Sequence, residues 1–162
     1  MKTGVYPGSF DPFTIGHYDV LCNAAALFDT IYVSVLNNSA KSPIFSVQER
    51  VEMIQCVVDS EHMKNVRVTS FDGLTVNYAR SIQSAYIIRG LRAITDFEYE
   101  FQLDALNRHL ADDIRTIYFM ASPEHSFLSS SAIREIGTMD GSIVGLVPSS
   151  IQNIIAERLA KP

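Results

Sequence analysis

The chain has 162 residues, 47% of them hydrophobic and 19% charged, with a mean hydropathy of +0.10. That balance describes a packed globular protein rather than a disordered one, and a chain of this length buries roughly 70% of its unfolded surface without a disulfide or metal staple. The net charge of −5 excludes a broad basic face for nucleic acid, while a few converging Lys and Arg residues still suit a small anion. Met1 to Gly8 holds no long apolar run, and no stretch reaches the ~18 uninterrupted apolar residues of a membrane span. The expectation is therefore a cytoplasmic protein with no nucleic-acid or membrane partner. Cys22 and Cys56 belong to no CxxC pair and sit among apolar residues, which predicts two reduced, small core residues.

Short β-rich runs at Gly4–Tyr6, Thr30–Val35, Val66–Ser70, Tyr86–Ile88 and Thr116–Phe119 alternate with segments of helical period. The first run leads into Gly8-Ser9-Phe10-Asp11-Pro12-Phe13-Thr14-Ile15-Gly16-His17. Here Gly8 leaves the backbone open to a ligand, Pro12 fixes the loop and Thr14 caps a helix. His17, Leu21, Ala24 and Phe28 share one helical stripe, so His17 looks over the strand ends from a first turn that favours anions. A neutral imidazole there has one hydrogen bond to donate to a phosphate oxygen; taken alone, it reads as a satisfied boundary histidine.

After the second run, Lys41 lies in the Asn37–Pro43 loop, by itself a solvated lysine. Ser46 and Glu49 form a capping box for a helix with Val47, Val51, Ile54 and Val58 on one stripe. Asp72-Gly73-Leu74-Thr75 follows the third run and reads as a turn with Thr75 as N-cap. Arg89-Gly90-Leu91-Arg92 follows the fourth, two guanidiniums flanking a glycine turn. They suit phosphate, and they equally suit surface pairing with Asp96, Glu98 or Glu100. Asp96 is placed to cap a helix carrying Leu103, Leu106 and Leu110. After the fifth run, Ser122-Pro123-Glu124-His125-Ser126-Phe127-Leu128 enters Ser129-Ser130-Ser131-Ala132-Ile133-Arg134, a serine-rich helix start whose hydroxyls and free amides suit a phosphate, with Arg134 as reinforcement. Ser149 and Gln152 open a last helix with Ile151, Ile154, Ile155 and Leu159 on its apolar side.

Five rounds of strand and helix predict an α/β fold: a single-domain, Rossmann-like, doubly wound parallel five-stranded sheet with helices on both faces, spanning residues 1–162. In such a sheet ligands gather beyond the carboxyl ends of the strands, where the strand order reverses. The junctions at Gly8–His17, Arg89–Glu100 and Ser122–Arg134 therefore carry the functional signal.

Those junctions also carry a resemblance. Thr14-Ile15-Gly16-His17 resembles the T/H-x-G-H signature of the nucleotidyltransferase superfamily, and the serine-rich segment ending in Ile133-Arg134 resembles its second signature. Arg89-Gly90-Leu91-Arg92, then Asp96-Phe97-Glu98-Tyr99-Glu100 and Asn107-Arg108-His109, is similar to the phosphopantetheine adenylyltransferase family within it. The likeness runs in order from Tyr6 to the final helix. It implies transfer of an adenylyl group from ATP to 4′-phosphopantetheine, giving dephospho-coenzyme A and pyrophosphate in coenzyme A biosynthesis.

The resemblance implies His17 as the catalytic residue that stabilises the transition state. It implies ATP contacts from Ser9, Phe10, His17, Gly90, Leu91, Arg92, Glu100, His125, Ser126, Phe127, Leu128, Ser129, Ser130 and Ser131, and contacts to the acceptor from Ser9, Lys41, Thr75 and Arg89. His125 stands where relatives usually carry Trp or Tyr, which removes the stacking argument at that position. Mg²⁺ is expected on the phosphates of ATP with no metal site in the protein, because magnesium keeps its waters and leans on substrate phosphates. The resemblance also implies a homohexamer inhibited by coenzyme A. Competing readings are a nucleotidyltransferase acting on nicotinate mononucleotide or a CTP-dependent one, against which the Arg89–Glu100 segment argues, and a non-catalytic nucleotide-binding domain.

Overall fold

The computed structural model describes residues 1–37, 42–92 and 94–160. The strands are β1 (Thr3–Gly8), β2 (Thr30–Leu36), β3 (Val66–Phe71), β4 (Tyr86–Leu91) and β5 (Arg115–Met120). The helices are α1 (Ile15–Ala25), α2 (Val47–Ser60), α3 (Thr75–Ser81), α4 (Ile94–Leu110), α5 (Ser130–Thr138) and α6 (Ser149–Leu159), with a 3-10 turn at Pro123–His125. All strand pairs are parallel and the order is β3-β2-β1-β4-β5. The order reverses between β1 and β4, so the carboxyl ends of those strands flank the crevice of a doubly wound sheet.

Alternate residues of the strands feed two cores. Tyr6, Ile31, Val33, Val35 and Ile88 face one layer with residues of α1, α2, α5 and α6. Val5 and Ile87 face the other, with Val76 and Ala79 of α3 and Ala111 and Ile114 before β5. Each expected strand lies inside an observed one. The Ser46–Glu49 capping box forms, with the Ser46 N–H donating to Glu49 at 2.7 Å and the Glu49 N–H donating to Ser46 at 3.2 Å.

Several expectations need correction. β4 continues to Leu91, with Gly90 in register with Phe119, so Arg89-Gly90-Leu91 is strand and not a turn. The glycine serves packing: a Cβ on it would stand 2.8 Å from Cγ2 of Val20, so α1 seats directly on β4. Asp96 stands in the first turn of α4, which begins at Ile94, and is not its cap. Leu106 and Leu110 are exposed on α4, as are Phe97, Tyr99 and Phe101; periodicity marks an apolar face without saying that this chain covers it. Pro148 precedes α6 in the cap position, so Ser149 is its first residue, and Ile154 points outward. Cys56 is exposed and Cys22 half-buried; both are free thiols, and only the expectation that they are core residues fails. Among the described residues no helix is long and apolar enough to cross a membrane.

Candidate active site

A cleft of about 830 Å³ opens at the switch point. Its floor is the end of β1 and of β4; its walls are the first turn of α1, α4 and the start of α5. The volume lies towards the upper end of small-molecule sites, enough for more than one ligand group.

His17 is set by its own helix. Thr14 caps α1: its Oγ1 accepts the His17 N–H at 3.3 Å, while the Thr14 N–H donates to Nδ1 of the imidazole at 3.0 Å. A ring nitrogen that accepts an amide N–H is unprotonated, so the neutral ring carries its proton on Nε2. The ring packs edge-on to Phe10, with centroids 5.2 Å apart, and against Phe13 at 5.5 Å. Burial pushes the His17 pKa down to about 3, with Arg92 and then Arg89 adding to the effect. The site therefore holds a neutral, oriented Nε2–H donor that makes no hydrogen bond among the described residues.

Four arginines line the cleft against three carboxylates, although the chain as a whole is acidic. Each arginine ties a backbone carbonyl through Nη1, three of them in loops and one in β1: Arg50 to Ser9 O at 2.6 Å, Arg92 to Leu128 O at 2.6 Å, Arg134 to Asp11 O at 2.6 Å, and Arg89 to Pro7 O at 3.3 Å. Arg89 also pairs with Glu100, its Nε standing 2.9 Å and 3.1 Å from the two carboxylate oxygens and its Nη2 bonded to Oε1. Burial works against the charge on Arg89, but Glu100, with smaller contributions from Tyr6 and Tyr99, makes the net pKa shift upward. Arg92 pairs with Asp96 at 3.1 Å. The pairing foreseen as the bland alternative does form, yet inside the cleft.

At α5 the Ser129 Oγ accepts the Ala132 N–H at 3.0 Å, and the Ser130 hydroxyl donates to Pro12 O at 2.8 Å. Ser130 and Ser131, whose amides precede the first intrahelical bond of α5, line the cleft together with Arg134.

Residues 5–136 match the family described as Cytidylyltransferase-like. Over 158 residues the chain is 48% identical to the phosphopantetheine adenylyltransferase of Lachnoclostridium phytofermentans, covering 98% of this chain and 96% of that one. It is 49% identical, with the same coverage, to the phosphopantetheine adenylyltransferase of Natranaerobius thermophilus. The chain belongs to the phosphopantetheine adenylyltransferase family. A crystal structure of a candidate nicotinate-nucleotide adenylyltransferase from Vibrio parahaemolyticus superposes with a TM-score of 0.71 at 14% identity, over 96% of this chain and 99% of that one. At that identity the likeness speaks for the fold alone.

Of the residues that the family resemblance singles out, the cleft brings together Ser9, Phe10, His17, Thr75, Arg89, Gly90, Arg92, Glu100, Leu128, Ser129, Ser130 and Ser131. Leu91, His125, Ser126 and Phe127 flank it without lining it, and Phe127 is exposed. Lys41 lies outside the described residues. Gly8 does not leave its Cβ direction to a ligand: the Phe10 ring fills it, 2.7 Å from where a Cβ would be. Thr75 is the first residue of α3, whose cap position is Leu74, so the N-cap reading of Thr75 fails.

Sequence reading missed Arg50 and Asp11. Arg50 is only 3% exposed, and its place four residues before Ile54 on the buried side of α2 was the available signal. Asp11 is 5% exposed, and nothing local marked it.

Proposed function

We propose that this cleft transfers the adenylyl group of ATP to 4′-phosphopantetheine, releasing pyrophosphate and forming dephospho-coenzyme A, in coenzyme A biosynthesis. The observation that carries the chemistry is the fixed, neutral Nε2–H of His17 above the strand ends, facing a cleft in which arginines outnumber carboxylates.

The acceptor phosphate is already an anion and a nucleophile at neutral pH, so no side chain need be activated. One of its oxygens bonds to the α-phosphorus of ATP as the bond to the bridging oxygen of pyrophosphate breaks, in line. What the protein supplies is alignment and stabilisation of charge on the equatorial oxygens. His17 donates to one of those oxygens. Being neutral, it does so without giving up a proton.

In this reading the Ser9–Phe10 backbone, Gly90, Leu91, Arg92 and Glu100 hold ATP, together with His125 to Leu128. Ser129, Ser130 and Ser131, with the open amides of α5, take its outer phosphates. Arg89, Thr75, Ser9 and Lys41 take the acceptor. Mg²⁺ bound to the triphosphate would offset part of its charge, with no ligand from the protein. This agrees with the cleft carboxylates of Asp11, Asp96 and Glu100, each of which already accepts from an amide or a guanidinium. Coenzyme A, which shares both halves of the product, would compete for the same cleft. The uncovered apolar face of α4 supports assembly of copies into the expected homohexamer. A cytoplasmic location completes the reading.

Pyrophosphate release tests it, with ATP and Mg²⁺ supplied alongside phosphopantetheine, nicotinate mononucleotide, or CTP plus glycerol 3-phosphate. Release with phosphopantetheine alone is expected. Release only in a control would move the acceptor, and none anywhere from protein that binds ATP would leave a binding domain.

A further inference from the structure

Asp11 stands out among the cleft residues because nothing in the proposed chemistry uses it, and a carboxylate in a cleft built for phosphates opposes the ligand. Its oxygens are spoken for. Oδ1 accepts the Phe45 N–H at 3.0 Å and Oδ2 accepts the Ile44 N–H at 3.0 Å, both from the segment entering α2. Arg134 of α5 approaches Oδ2 at 3.4 Å and donates to the Asp11 carbonyl at 2.6 Å. The other end of the same guanidinium, Nη2, donates to the Ser131 Oγ at 3.2 Å. Three parts of the chain more than thirty residues apart thus meet on one side chain.

The choice of residue type follows from the donors. Two amides and a guanidinium converge, and only a carboxylate accepts from all three; an asparagine would turn an N–H against one of them. Arg134 in turn offsets the charge that Asp11 brings into the cleft.

We infer that Asp11 is a positioning residue for the ATP side of the site, holding Arg134, and through it the Ser131 hydroxyl, in register with the loop that precedes His17. This rests on the adenylyl-transfer reading for its ligand, but its test does not need turnover. ATP affinity is measured by calorimetry for the wild type, Asp11→Asn, Arg134→Gln and the double variant, with thermal midpoints beside it.

Each single variant is expected to weaken ATP binding about tenfold, and the double variant about tenfold as well, because the two act through one contact. Effects that multiply to about a hundredfold would overturn the inference, as would an Asp11→Asn variant that lowers the midpoint while binding ATP normally. Should Asp11→Asn fail to fold, Asp11→Glu takes its place, since it keeps the charge and moves the carboxylate: a lowered midpoint with unchanged ATP affinity overturns the proposal, and a loss of affinity at a near-native midpoint supports it. A wild type that binds ATP and releases no pyrophosphate would sink the adenylyl-transfer reading and leave this comparison standing.

Discussion

The two sides of the cleft are built on different physics. On the β1–α1 side the reactive donor is uncharged, and its ring is locked by a capping bond from Thr14 and by two aromatic rings. On the β4–α4 side the groups are charged, and the protein supplies its own counter-ions: Glu100 for Arg89 and Asp96 for Arg92. The first side is set before any ligand arrives and has nothing to rearrange. The second is balanced in the free protein and must share its guanidiniums when a phosphate enters. A preorganised donor serves the transition state, where reorganisation is costly; a shared ion pair serves binding, where charge balance keeps the empty site stable.

Breaking the uncharged side should have the largest effect. His17→Ala is expected to lower kcat by about a hundred- to a thousandfold, the usual consequence of removing one preorganised donor, with the KM for ATP changed by no more than about threefold. Steady-state kinetics with both substrates checks it, and an unaltered kcat would remove His17 from the chemistry.

The charged side should respond in stability as well as in binding. Arg89→Met leaves Glu100, which is only 6% exposed, without its partner, and about 1–3 kcal/mol of stability should go with it. The KM for phosphopantetheine should rise about tenfold in the same variant. The double variant Arg89→Met/Glu100→Met should recover most of the denaturation midpoint and none of the KM. Recovery of both would mean that Arg89 serves only to neutralise Glu100.

The smallest effect is an absence of titration. With its pKa held near 3, the imidazole of His17 stays neutral from pH 8 down to pH 5, and its NMR shifts should not move over that range. The signals should report the Nε2–H tautomer; a midpoint near 6.5 would contradict the locked donor. The sign for stability follows. An unfolded histidine takes up its proton near pH 6.5 and the folded one does not, so the contribution of His17 is complete above that pH and is lost as the pH falls towards 3.

Features made by a residue and its near neighbours in sequence were legible before the fold was known. The Ser46–Glu49 box, the Thr14 cap and the serine-rich helix start belong to that class, because a side chain bonding backbone three residues away leaves a mark at fixed spacing, and so do all five strands. The junctions were legible because a parallel sheet can present its loops only at the strand ends. What was not legible is held across distance. Arg50 reaches Ser9 and Asp11 reaches Ile44, Phe45 and Arg134, and no local pattern encodes those meetings. The α4 stripe misled for a related reason: a period of 3.6 says that a helix has an apolar face, and is silent on what meets it.

Gly90 ties the position of His17 to a residue more than seventy places along the chain. With no side chain between β4 and Val20, α1 rests on the sheet as a beam rests on a bearing with no shim beneath it. Any thickness added at Gly90 would tilt that beam at Val20, and the tilt would be carried to its tip, where the imidazole sits one turn away. The height of the donor over the sheet is therefore a machining tolerance cut into a different strand. A single side chain added at Gly90 could therefore cost the alignment of the donor while His17, its cap and the rings that hold it stay the same.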